Sequence, residues 1–142
     1  MSEQHWLAEV AWAGEQVFLG SDDKGHSVIY DSRTDGMTRG IGPMRALLTT
    51  LGACSGMDIV AILNKRKQKL TSLKIRLTGE RPLHGYPKPY KSIQLEYLIT
   101  GVRLKKAYVD KAVKDSMTKF CSVAATLRPG VKIDYIYEIL PG

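Results

Sequence analysis

Two thiols and one carboxylate are the groups in this chain best suited to chemistry. Cys54 sits inside LLTTLGACSGMDIVAIL, residues 47–63, an apolar run that also carries Gly52, Gly56 and Asp58. Cys121 lies far along the chain in FCSVAATLRPGVKI. A thiolate is a good nucleophile, but a free thiol titrates only near ~8.5. Oxidation of one thiol to a sulfenic acid is rescued when a second thiol can reach it. The two cysteines are therefore either inert buried thiols or a redox pair, and only folding could unite them. Asp58 falls one helical turn after Cys54 on the same side, where an ionised carboxylate disfavours the thiolate. A buried carboxylate is seldom left alone, so Asp58 is expected to act as a cap or to pair with a basic residue of a partner chain. Leu47, Leu51 and Met57, with Asp58, are the expected wall of a pocket that desolvates an alkyl tail. His5, His26 and His84 are isolated, with no neighbour at ligand spacing, so no metal site is expected.

The elements that must position these groups read as follows. HWLAEVAWAGE, QVFLGSDD and HSVIYDS form an antiparallel meander with tight turns. Pro43 opens a long helix, because proline suits a first helical turn. The helix should run to about Gln68, its final NKRKQK complementing the negative end of the dipole. LTSLKIRLTGER and KSIQLEYLITG are strands around a proline-bound loop, PLHGYPKPY. KKAYVDKAVKDSMTKF is an amphipathic helix, and VKIDYIYEI a closing strand. Segregated strands and helices give an α+β class: one domain over residues 1–142, with an antiparallel sheet, a long buried central helix and a second helix.

That long helix is apolar on almost every side, so it must be buried all round. One chain of 142 residues has little material to wrap it, and an intimate homodimer is expected. Gly52 and Gly56, four apart, would let another backbone come close. Trp6 and Trp12 fit core packing or an interface.

Hydrophobic residues make up 44% of the chain, and the net charge is +7. No run reaches the ~18 unbroken apolar residues of a membrane span, and the N-terminus lacks the pattern of a signal peptide. The expectation is a cytoplasmic protein without a membrane partner. The basic excess reads as a basic surface, and RPLHGYPKPYK as an exposed loop rather than a nucleic-acid site.

GPMRALLTTLGACSGMDIVAILNKRKQ resembles the central helix of the OsmC/Ohr family of thiol peroxidases, in its broad OsmC-like branch, and FCSVAATLRPGVKI resembles that family's second-cysteine segment. The resemblance covers nearly the whole chain. It implies an intertwined homodimer with sites at the subunit interface, and reduction of organic hydroperoxides in oxidative stress defence. Cys54 matches the position that attacks the peroxide and Cys121 the one that resolves the sulfenic acid to a disulfide. It implies no prosthetic group, only an external dithiol reductant such as a lipoylated protein. The family's peroxidase branches place an arginine in the N-terminal strands and a glutamate in the first turn of the long helix. Here residues 1–23 contain no lysine or arginine, and the first turn reads Pro43, Met44, Arg45. Arg33, Arg39 and Arg128 are the remaining candidates for a thiolate-stabilising cation. The alternative is a non-catalytic, small-ligand-binding or redox-sensing protein on the same scaffold.

Overall fold

The computed structural model describes residues 6–33 and 36–142. The chain divides into two compact units, Met1–Leu47 and Leu48–Gly142. Among the described residues the first unit holds strands β1 (Ala8–Trp12), β2 (Phe18–Asp22) and β3 (Ser27–Tyr30). They form the expected antiparallel meander in the order β1-β2-β3. The Asp22 carboxylate closes the second turn by accepting the N–H groups of Lys24 and His26, at 2.8 and 2.9 Å. The backbone and side-chain hydrogen bonds from His26, then that from Lys24, lower the Asp22 carboxyl to about 2. After β3 the chain returns to pair Ile41 with Tyr30. Gly40 is required there, since a Cβ on it would stand 2.2 Å from the Ile29 carbonyl oxygen. The meander leaves Val10, Trp12, Leu19, Val28 and Ile29 exposed. Trp6 and Trp12 are both exposed rather than core residues.

The second unit holds a sheet of β4 (Lys69–Glu80), β5 (Ser92–Val102) and β6 (Lys132–Ile139) in that order. β4 and β5 pair antiparallel, but β5 and β6 pair parallel. The sheet is thus mixed rather than antiparallel. The reason is the connection: parallel neighbours need a long crossover, supplied here by α2 (Lys106–Asp115), a π-helical turn (Ser116–Phe120) and a short α3 (Ser122–Leu127). Strand β5 is central and alternates strictly. Ile93, Leu95, Tyr97 and Ile99 are buried, while Gln94 is exposed. Val109, Ala112 and Val113 of α2 and Ala124 of α3 complete the core.

Helix α1 spans Pro43–Lys65, and the division between the units falls within it. It ends where Lys67 takes a positive φ of 57°. Its length and a mean hydropathy of 1.8 over an 18-residue window would suffice to cross a membrane, although threonine, serine and glycine residues interrupt the apolar run. In the second unit one side of α1 is committed to the sheet: Leu51, Ile59 and Leu63 are fully buried. The other side, with Ala53, Met57, Val60 and Ala61, is exposed, so α1 is not buried all round within one chain. Gly52 and Gly56 face the chain's own β4. A Cβ at Gly52 would fall 2.9 Å from Leu77 Cδ1, and one at Gly56 3.2 Å from Ile75 Cδ1.

Candidate functional site

Cys54 lies at the border of the two sides of α1 and is half-buried; Cys121 is buried, 3% exposed. Cys54 is close enough to Cys121 for its side chain to act on the second thiol, and both cysteines are free thiols. What aims Cys121 at α1 is its backbone. Its N–H reaches back five residues to the Ser116 carbonyl at 2.8 Å, closing the π-helical turn. Cys121 then takes an extended conformation as the N-cap of α3, and its Sγ accepts the Ala124 N–H at 3.4 Å. Burial pushes the Cys121 thiol up to about 11, against the lowering effect of the Ala124 N–H; the hydrogen bond and charge of Cys54 and the charge of Asp58 push the same way as burial. Cys121 therefore stays protonated at neutral pH and can act as a hydrogen-bond donor to Cys54.

Beneath the thiols runs a chain of polar side chains that sequence reasoning missed. Ser116 Oγ donates to Asp58 Oδ2 at 3.0 Å. Its oxygen meets Ser55 Oγ at 2.7 Å, and Ser55 Oγ meets Tyr97 Oη at 2.7 Å. A hydroxyl has one proton to give. Once Ser116 gives its proton to the carboxylate, Ser55 must donate to Ser116 and Tyr97 to Ser55. Burial, opposed by the Ser55 hydrogen bond and assisted by the charges of Cys121, Tyr135 and Asp58, raises the Tyr97 hydroxyl to about 12. It thus keeps the proton this direction requires. Ser55 and Ser116 are fully buried and Tyr97 is a core residue. The available signal was polarity at core-facing positions: Ser55 on the buried side of α1, and Ser116 continuing the apolar stripe of α2.

The sequence-derived pocket residues differ in exposure. Leu51 is fully buried, Leu47 is half-buried, and Met57 is 71% exposed. Asp58, half-buried, accepts a hydrogen bond from Ser116 of its own chain. Met57 lines an open cleft of about 740 Å³ with Gly56, Val60, Leu73, Ile75 and Leu77. Ile62, one turn beyond Asp58, and Phe120, next to Cys121, line a recess of about 200 Å³ with Tyr108, Lys65, Arg66 and Lys111.

Two of the three candidate cations, Arg33 and Arg128, are occupied otherwise. In the first unit the Arg33 guanidinium binds Glu15 at 2.7 Å, lies 3.4 Å from Asp31, and donates to the Met37 carbonyl. Arg39 donates its backbone N–H to Asp31. Burial alone would raise the Asp31 carboxyl, but the N–H groups of Arg39 and Arg33 and the charges of both arginines bring it below its usual range. Arg128 donates to the Met117 carbonyl within the π-helical turn. Among the described residues no group of three or more His, Cys, Asp or Glu is arranged to hold a metal. His5 lies outside the described residues; His26 binds Asp22.

Residues 34–136 match the family model described as OsmC-like protein. The chain is 35% identical over 133 residues to Protein YhfA of Escherichia coli K12, covering 94% of this chain and 97% of that one. A crystal structure of a hypothetical protein from Aquifex aeolicus VF5 superimposes with a TM-score of 0.79 at 30% identity, over 97% of this chain and 99% of the other. An organic hydroperoxide resistance protein OsmC from Legionella pneumophila gives 0.69 at 15% identity, over 97% and 99%, a likeness of fold alone. The chain belongs to the OsmC-like family.

Proposed function

We propose that this protein reduces organic hydroperoxides with its thiol pair. The observation that carries the reading is an accessible thiol, Cys54, close to a buried one, Cys121, which holds its proton. Cys54 attacks the peroxide oxygen as a thiolate and releases the alcohol, leaving a sulfenic acid. Cys121 then closes the disulfide, and an external dithiol, of the lipoyl type implied by the family resemblance, reopens it. The hydroperoxide resistance named for the Legionella relative supports the substrate class. A second copy of the chain covers the exposed Met57 and Val60 side of α1 and helps enclose an apolar substrate.

The test is consumption of cumene hydroperoxide with a dithiol. Turnover should vanish in Cys54→Ser and slow in Cys121→Ser, where the dithiol must reduce the sulfenic acid directly. A wild-type protein that leaves the peroxide intact overturns the reading. One observation favours a second reading, a ligand-binding or redox-sensing role: Arg33 and Arg128 are held by other partners. That reading expects thermal stabilisation by an apolar ligand, retained in Cys54→Ser and without turnover.

A further inference from the structure

We infer that Asp58 is a positioning residue, the anchor of a hydrogen-bonded clamp that holds the Cys121 turn against the helix bearing Cys54. The inference rests on the thiol-pair reading but does not need a peroxide. The Asp58 charge works against ionisation of the Cys121 thiol, so that charge is a poor reason for the residue's presence. What it supplies is an acceptor. Ser116 starts the π-helical turn and accepts the Cys121 N–H through its carbonyl, while its side chain is held by Asp58 and Ser55 of α1. Ser55 follows Cys54 directly and is held in turn by Tyr97 of β5. Three elements are thus tied at one buried point, and each cysteine is within one turn of a tied residue.

Without Asp58 the Ser116 proton has the Ser55 carbonyl as its alternative acceptor at 3.4 Å. Moving to it leaves Ser116 attached to α1 at Ser55 alone, and the loss of the second attachment at Asp58 lets the turn pivot. In closure from the sulfenic acid, the Cys121 S–H bond and the Cys54 S–O bond break and the S–S bond forms. The hydroxyl leaves with the Cys121 proton as water. Closure can also be driven by oxidised glutathione, which takes both electrons and both protons and becomes two molecules of the reduced thiol. Either route requires the sulfurs to be held in register.

The experiment is equilibration of the full-length protein in glutathione redox buffers, with the Cys54–Cys121 disulfide quantified by mass after acid quench. Melting curves accompany Asp58→Ala, Asp58→Asn and Ser116→Ala. The effective concentration of the pair should fall about tenfold or more in both alanine variants, since small displacements of reacting groups are costly. Asp58→Asn keeps an acceptor oxygen for Ser116 and loses the charge, and should stay within about threefold of the parent. Alanine variants that close as tightly as the parent overturn the clamp, as does an asparagine variant that falls as far as alanine. If Asp58→Ala does not fold, Ser116→Ala and Asp58→Asn decide between the same outcomes. Absence of peroxide turnover would remove the proposed function and leave this measurement intact.

Discussion

Strand β1 exposes all five of its residues, whereas strand β5 buries four side chains in regular alternation. Both belong to three-stranded sheets with well-matched registers, so backbone pairing does not separate them. The sequence between the strands does. The chain after β5 supplies α2 and α3, whose apolar residues cover the sheet; the chain between β1 and β3 supplies only β2 and its turns. A small sheet without a covering layer is marginal in water, and Val10, Leu19, Val28 and Ile29 remain in contact with it. The lesson is that one unit carries its own core, while the other leaves apolar side chains exposed.

The largest expected effect is in the closed core. Leu95→Ala should cost about 3 kcal/mol in urea unfolding, because the cavity cannot collapse between two strands and a helix. Leu19→Ala should cost under about 1 kcal/mol in dilute protein. A rise in that cost with protein concentration would reveal the second copy, and equality with Leu95→Ala would break the comparison.

Titration should come next and run in opposite directions. Cys121 binds its proton more tightly folded than unfolded, so its contribution is complete below about 9 and lost as pH rises through about 11. Cys121→Ala should flatten that alkaline limb of a thermal-stability profile. Asp22 and Asp31 of the first unit release their protons more easily when folded. Their contribution is present above about 4 and lost as pH falls, for Asp22 through about 2. Asp22→Asn should flatten this shallower acid limb, the smallest change of the three. The second unit has an acid component of its own, since the hydrogen bond and charge of Lys111, with the charges of Lys119 and Lys114, lower Asp115 against burial.

Periodicity made most of this architecture legible. The alternation of KSIQLEYLITG and the proline at the start of α1 located their elements within a residue or two. The two cysteines were legible as a pair only through the family resemblance, since nothing in their spacing measures a distance. The partner of Asp58 was not legible, because a serine far along the chain carries no charge to mark it. The parallel pairing of β6 was hidden for a related reason. An alternating strand reads the same in either direction, and only the length of the crossover distinguishes them.

The widened turn at Ser116–Phe120 ties the chemistry to a count of amino acids. A π-helical turn accommodates one residue more than the α-helix around it, and each residue advances the chain by ~100°. Trimming a single residue from SMTKF would therefore let α2 continue with ordinary pitch and carry the second sulfur about a quarter-turn aside. A family of chains sharing this scaffold could gain or lose its sulfur couple through one codon, with the remainder of the fold unchanged.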